Sequence, residues 1–329
     1  MTRPPAVLIG VDVGTTTTSG GLVTREGEVL AALEMKTHGQ GPGTALDLLL
    51  DLVGDLLGQA GVRGQPVEGI GIGLPGPVDV ESGSMRTGIH GVPELAEAPF
   101  VERIRAESGV PVFIDNDVNA IALGEWTWGV GRGAASMVML ALGTGLGGGV
   151  ILDGHLVRGK SGYGGELGHV SLSLDGRPCV CGIRGCLFAY AAGFGIAMEY
   201  ERRVRGAATS RMAEILHGEH PPDAAAVFRA AEAGDRHALD VVEEACRAVG
   251  AAIGGIANAL NPDVIVLTGG ILKSLAPHQP RILEHASRYG LAPTLADASI
   301  HFIPGYKNQT VRGGAALVLY ERARGAGRS

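Results

Sequence analysis

Three kinds of chemically capable residue crowd the stretch Ala141–Cys186, ALGTGLGGGVILDGHLVRGKSGYGGELGHVSLSLDGRPCVCGIRGC. Its glycine-rich turn, Gly143-Thr144-Gly145, lies between two apolar runs. Such a turn suits a phosphate, because backbone N–H groups approach oxygens closely where no Cβ intervenes. An acid and a histidine follow in Glu166-Leu-Gly-His169, and His169 with Cys179, Cys181 and Cys186 makes one complete tetrahedral metal set. Imidazole among the ligands favours zinc over an iron–sulfur cluster. A closed set leaves no position for water, so the metal's role would be structural. The Cys-x-Cys spacing is tighter than the commoner Cys-x₂-Cys, and buried or redox-reactive thiols are the plain alternative. A second polar cluster, Asp115-Asn116-Asp117-Val118-Asn119, closes an apolar run just before an Ala/Leu stretch. A helix N-cap needs one such residue; three exceed that need. A phosphate cradle beside a metal knot points to a nucleotide enzyme with a stapled substrate loop.

The elements that must position these groups read as α/β. Val7 to Val13 is a buried-strand candidate, followed by the turn Gly14-Thr15-Thr16-Thr17, a strand over Ser19 to Val23, an acid-Gly turn at Glu26-Gly27 and a strand over Val29 to Met35. Leucines at helical spacing fill Gly43 to Ala60. Val67 to Ile72 is a strand breaking into Gly73-Leu-Pro-Gly76-Pro77, Phe100 to Glu107 is helical, and Val110 to Ile114 is a strand before a helix over Val118 to Trp128. The pattern then restarts: strand Ser136 to Leu142, a Gly-Thr turn, strand Gly147 to Leu152, Asp153-Gly154, strand His155 to Val157. This internal repeat predicts two similar βββα domains facing each other across a nucleotide cleft. Helices over Ala224 to Ala233 and Ala238 to Leu260, strands over Val264 to Thr268 and Ser299 to Ile303, and a closing helix over Val311 to Ala323 complete the chain.

The totals narrow the class. At 329 residues, two domains are expected. Aromatics at 4% leave Ala, Val, Leu and Ile to build the core, and 54 glycines without a short period belong to turns. A net charge of −7 argues against nucleic acid as a main partner. Clustering of three of the four cysteines fits a metal site in a reducing compartment, with Cys246 left to the core. No window reaches about 18 uninterrupted apolar residues, so neither a signal peptide nor a membrane span is expected, and the protein is expected to be cytoplasmic.

Taken together, Leu142-Gly-Thr-Gly-Leu-Gly-Gly-Gly149, Gly165-Glu-Leu-Gly-His169 and Cys179-Val-Cys-Gly-Ile-Arg-Gly-Cys186 resemble the ROK family (repressors, open reading frames and sugar kinases) of the actin-like ATPase superfamily. The resemblance covers essentially the whole chain. It implies two actin-like, ribonuclease H-like α/β domains, one from 1–125 plus 311–329 and one over 126–310 with the zinc loop and inserted helices. It implies an ATP- and Mg²⁺-dependent kinase for a hydroxyl of a hexose-like substrate, working as a homodimer or homotetramer. Asp12, Gly14, Thr15, Thr16, Gly143, Thr144 and Gly145 would hold the phosphates, with Asp12 reaching Mg²⁺ through water, and Gly269-Gly270 would lie by the adenine. Asp117 matches the catalytic base; Gly76, Asn116, Glu166 and His169 match sugar contacts. Two ordinary hairpin turns are the plain alternative for the paired Gly-Thr motifs, and an N-cap for Asn116 or Asp117.

Three departures stand out. Thr15 replaces a glycine of the first loop, Phe188 replaces an acid that grips the sugar, and Gly88-Ile89-His90-Gly91-Val92 replaces Asn-Leu-x-Gly-Trp. The last two change the sugar side and raise an aminosugar, a cyclitol (an inositol or C7-cyclitol) or another polyol as alternative substrate, with glucose the family default. Polyphosphate instead of ATP stays open as donor. A ligand-sensing repressor or a catalytically silent sugar-binding protein is the rival from another class. Family repressors carry an added N-terminal helix-turn-helix, whereas this chain enters its first strand at Val7, and Asp12, Asp117 and both turns are retained.

Overall fold

The computed structural model describes residues 4–38, 45–85, 92, 95–96, 99–205 and 223–326. Gly88 to Gly91, one of the departures above, lie outside the described residues. The chain divides into two compact units, Met1–Gly133 with Leu156–Gly164 and Tyr306–Ser329, and Ala134–His155 with Gly165–Gly305.

In the first unit, β1 (Val7–Val13), β2 (Thr17–Thr24), β3 (Val29–Lys36), β4 (Val67–Leu74) and β7 (Val112–Asn116) form a sheet ordered β3-β2-β1-β4-β7. The first three strands pair antiparallel, while β1–β4 and β4–β7 pair parallel. A run apolar but for Asp12 makes β1 central and buried, and the alternating Leu33-Glu34-Met35-Lys36 makes β3 a half-exposed edge. The helix α1 (Ala45–Val62) lays Leu49, Leu52, Val53 and Leu56 on one face of this sheet. A short hairpin, β5 (Val78–Asp79) and β6 (Ser84–Met85), precedes α2 (Phe100–Ser108), which stops at Gly109 in the left-handed conformation. The strand β7 leads directly into α3 (Asp117–Trp128).

The second unit repeats the plan. Strands β8 (Met137–Leu142), β9 (Leu146–Leu152), β10 (His155–Leu156), β11 (Val264–Gly269) and β12 (Ser299–Pro304) are ordered β10-β9-β8-β11-β12. Here too β8–β9 is antiparallel and β8–β11 and β11–β12 are parallel. Helices α4 (Phe188–Ala191), α5 (Gly193–Arg205), α6 (Ala224–Glu232), α7 (Arg236–Leu260), α8 (Leu272–Leu275), α9 (Gln279–Tyr289) and α10 (Ala292–Asp297) follow the metal loop or flank β11. The Ala-rich α7 ends at Asn261, whose φ of 39° closes the helix before Pro262. Cys246 is fully buried in α7, as expected. The last helix, α11 (Gln309–Ala326), returns to the first unit. It lies against β1 and β4 because two strand positions have no side chain. A Cβ on Gly10 would fall 1.9 Å from the Val311 oxygen, and one on Gly71 would fall 2.0 Å from the Gly314 oxygen.

The expected elements are present with shifted ends; among the described residues the β5–β6 hairpin and helices α4, α5, α8, α9 and α10 were unforeseen. Charged and Gly-interrupted sequence hides the latter helices; GFGIAMEYERRVR in α5 is an example. None of the described helices is long and apolar enough to cross a membrane.

Candidate active site

Three neighbouring strand ends of the first sheet carry Asp12, Gly73 and Asp115 in one row, since Asp12 pairs with Gly73 and Gly73 with Asp115. Asp117 starts α3 immediately beyond. A Cβ on Gly73 would stand 3.2 Å from the Asp117 Cα and 3.7 Å from Asp12 Oδ1, so the missing side chain lets the acids share one recess. Burial pushes Asp12 up to about 6, against a hydrogen bond from Thr310. Burial and then the Asp12 charge push Asp117 up to about 7, against hydrogen bonds from the Val118 amide and the Asn116 side chain. A carboxylate half-ionised near neutrality is suited to accept a hydroxyl proton. Asp12 is a desolvated carboxylate, which fits a site for a hydrated cation.

Asn116 is the N-cap of α3: its Oδ1 accepts from Val118 N at 2.9 Å and Asn119 N at 3.2 Å. Its Nδ2 donates to the Gly76 carbonyl at 3.2 Å, holding the left-handed Gly76 turn (φ 82°). With its other hydrogen directed to Asp117, the Asn116 amide is fully used by the cap, Gly76 and Asp117. Asp115 is buried and fully engaged. Its Oδ1 accepts from Asn116 N and from Asn119 Nδ2, both at 2.8 Å, and its Oδ2 accepts from Arg158 Nε at 2.6 Å.

Each Gly-Thr turn is closed by the amide of its first glycine, the first over four residues and the second over three. Gly14 N donates to Thr17 O at 3.0 Å, and Gly143 N donates to Gly145 O at 2.9 Å. Thr15 and Thr16 are exposed at the first tip, Thr144 and Gly145 at the second. Thr37 Oγ1 steadies the first turn by donating to Gly14 O at 2.6 Å. In the second, the carbonyls of Gly143 and Thr144 accept from Gly193 N and Phe194 N at the start of α5. Gly269, at φ 105°, packs on Leu142, where a Cβ would fall 2.3 Å from its oxygen. The Gly269-Gly270 corner thus adjoins the root of the Gly143 turn, and Gly270 is open.

The 3-10 turn Leu167–His169 lies against β9, because Gly168 and Gly148 admit backbone contact there. Glu166 is exposed and His169 half-buried. His169, Cys179, Cys181 and Cys186 place their ligand atoms within 4.8 Å of one another. Cys179 Sγ lies 3.7 Å from His169 Nδ1, and Cys181 Sγ lies 3.7 Å from Cys186 Sγ. Tetrahedral zinc, with bonds of about 2.3 Å to sulfur, sets ligand atoms about 3.5–3.8 Å apart, so the set fits that ion. Nδ1 faces the thiols, leaving Nε2 for another partner. Phe188 stacks on the His169 ring, centroids 5.6 Å apart, and its edge lies 3.6 Å from where a Gly145 Cβ would be.

With the two loops and the acid row described, the relatives can be stated. The ROK family profile matches residues 8–320. The chain belongs to the ROK family. Over 313 residues it is 34% identical to the glucokinase of Halalkalibacterium halodurans, covering 94% of each chain. The ROK hexokinase from Thermus thermophilus superimposes with a TM-score of 0.80 at 30% identity, covering 97% of this chain and 99% of that one. A ROK family glucokinase from Streptomyces griseus, solved in complex with glucose and AMPPNP, gives a TM-score of 0.71 at 27% identity over 95% and 99% of the chains.

In this ROK protein the expected residues fall into groups by unit. Asp12, Gly14, Thr15, Thr16, Gly76, Asn116 and Asp117 belong to the first unit, and Gly143, Thr144, Gly145, Glu166, His169, Phe188, the cysteines, Gly269 and Gly270 to the second. Sequence reading missed Gly73, Thr310, Thr37 and Arg158. Only Gly73 carried a signal, as the first residue of the stretch Gly73-Leu-Pro-Gly76-Pro77, in which Gly76 alone was given a role.

Proposed function

We propose that this chain is an ATP-dependent kinase that transfers a phosphoryl group to a hydroxyl of a hexose. The observation that carries the reading is Asp117: a carboxylate held near neutrality beside Asp12, in a ROK chain similar to a glucokinase over nearly its full length. Asp117 would accept the proton of the attacking hydroxyl, and the glycine-threonine turns would hold phosphate oxygens by backbone N–H. Mg²⁺ near Asp12 would neutralise charge on the phosphates. Zinc on His169, Cys179, Cys181 and Cys186 would fix the loop that carries Glu166 and His169. Gly76, Asn116, Glu166, His169 and Phe188 would line the acceptor, and Gly269-Gly270 the adenine. The reading includes a cytoplasmic, homodimeric or homotetrameric enzyme with no nucleic-acid partner, and ATP rather than polyphosphate as donor.

One observation favours a second substrate class. Phe188 brings a ring and no hydrogen-bond acceptor beside His169, which suits an aminosugar, cyclitol or other polyol less polar on that side. The test is a coupled assay with ATP and Mg²⁺ against glucose, mannose, amino and N-acetylamino hexoses and inositols, repeated with polyphosphate. Phosphorylation of at least one acceptor, slowed about 10²–10⁴-fold by Asp117→Asn, is expected. Absence of transfer to every acceptor from folded protein overturns the kinase reading.

A further inference from the structure

Arg158 was met above only as a partner of Asp115, and it is an enclosed cation. It sits on Leu156–Gly164, the short segment of the first unit that follows β10. Its side chain is 12% exposed and is held between Asp115 (4%) and Glu321 (16%), at 2.6 Å and 2.5 Å. Glu321 also accepts from Arg324 at 3.1 Å. The segment's backbone is tied in as well: Leu156 N donates to Tyr320 Oη at 2.8 Å, and Gly164 N donates to the Arg158 carbonyl at 2.8 Å. The guanidinium lies 5.6 Å from the centre of the Tyr320 ring. A cation so desolvated is retained only where its partners are well fixed.

What those partners fix is the first turn of α3. Asp115 uses one oxygen for Arg158 and the other for Asn116 N and Asn119 Nδ2. Asn116 is the cap of α3, and Asn119 lies in its first turn. Asp117 stands between them, with its own carboxylate receiving Val118 N at 2.8 Å. Each bond leads to the next without a gap: Arg158, Asp115, the Asn116–Asn119 cap, Asp117.

We infer that Arg158 is a positioning residue for Asp117, acting through Asp115 and the α3 cap. The inference rests on the proposed reading of Asp117 as the base. Arg158 orients Asp115 so that both asparagines are held, and the capped turn aims the base carboxylate. Misplacement of a reacting group by about 1 Å lowers turnover about 10²-fold without touching the bound substrates.

The experiment is a double-mutant cycle between Arg158→Met and Asp117→Asn, with Arg158→Lys as the conservative partner. All variants are measured at saturating ATP and acceptor, with thermal melts to count folded protein. In otherwise native protein, Arg158→Met should lower kcat about 10²-fold with both KM values within about 3-fold. In the Asp117→Asn background the same change should lower kcat no further. Arg158→Lys keeps the charge and loses the planar fork, so its kcat should fall between the two. Arg158→Met with kcat within about 3-fold of native, a loss lying wholly in KM, or an equal loss in both backgrounds overturns the inference. If Arg158→Met fails to fold, Arg158→Lys decides: a kcat within about 3-fold of native overturns it. Full turnover in Asp117→Asn alone overturns the base assignment instead, so the two failures are told apart.

Discussion

In β1, Asp12 stands two residues before Gly14; at the matching place in β8, Ala141 stands two residues before Gly143. At the other side of each sheet, β7 ends in Asp115-Asn116 and passes Asp117 to α3, whereas β12 ends in Pro304 and passes to Gly305. The strand order is the same in both sheets, and three equivalent pairings run in the same directions. One copy has gathered carboxylates into a recess, where burial raises two of them. The other has backbone turns and, between β10 and α4, the cluster of His169, Cys179, Cys181 and Cys186. A duplicated scaffold can thus separate tasks. Proton chemistry needs side chains in a dry place, while holding a phosphate needs only amides and room.

The strongest way to break this contrast is Asp117→Asn. It should keep the fold and reduce kcat by about 10²–10⁴-fold, the usual size of a general-base contribution. In the native enzyme, the acid limb of kcat/KM should be centred near pH 7, where Asp117 becomes ionised. Stability runs the other way. A carboxyl raised in the fold from 3.8 to about 7 holds its proton where the unfolded chain has lost it, so stability falls as pH rises between those values. Asparagine removes that loss. The variant should melt a few degrees higher than native at about pH 8 and equally at about pH 4, a gain of about 1–2 kcal/mol once partial exposure is allowed for. Near-native turnover would remove the acid recess from the chemistry.

Gly73→Ala probes the same recess by crowding. The new methyl would meet the Asp117 Cα at 3.2 Å, and backbone must move to relieve it. We expect kcat to fall about 10-fold or more with KM for ATP little changed. Native kcat in a correctly folded Gly73→Ala protein would show that the spacing of Asp12 and Asp117 is not critical.

The second unit's part of the contrast is tested by the metal. Protein purified without chelators should carry one zinc per chain, by elemental analysis. Cys181→Ser should lower zinc content and reduce Tm by about 5–10 °C. Activity should fall less than for Asp117→Asn, because a zinc ion there would hold a loop and take no proton. Native metal-free protein of unchanged stability would leave the four ligands as thiols and an imidazole without a shared partner.

Legibility in the sequence followed the range of the interactions. The repeat was readable because strand, Gly-Thr turn and acid-Gly turn are local patterns, and both sheets carry them. The metal set was readable because its ligands span only His169 to Cys186. Arg158 was not, for it lies 43 residues from Asp115, and nothing near Arg158 marks it as that acid's partner. Gly10 and Gly71 likewise looked like ordinary strand glycines until α11 was seen to lie on them. Asn116 shows a different limit. The cap, Gly76 and Asp117 together use both lone pairs of its oxygen and both hydrogens of its nitrogen, a demand that no local pattern in the sequence reveals.

The smallest expected effect concerns Phe188, at the point where the metal loop and the second Gly-Thr turn meet. Its ring stacks on His169 and its edge reaches Gly145, so it is held from both sides. A sugar hydroxyl directed at this ring would lose water and gain no acceptor, at about 1–3 kcal/mol. Glucose should therefore be phosphorylated with a high KM, and an acceptor with an apolar or N-substituted side there should be preferred. Phe188→Glu would supply the acceptor and shift the ratio of kcat/KM values toward glucose about 10-fold, as a single restored hydrogen bond to a charged group allows. It would also remove the stack on His169, so zinc content must be measured alongside. If zinc is retained and the ratio does not move, or if the native enzyme already prefers glucose at micromolar KM, the ring is packing for the metal histidine and takes no part in choosing the substrate.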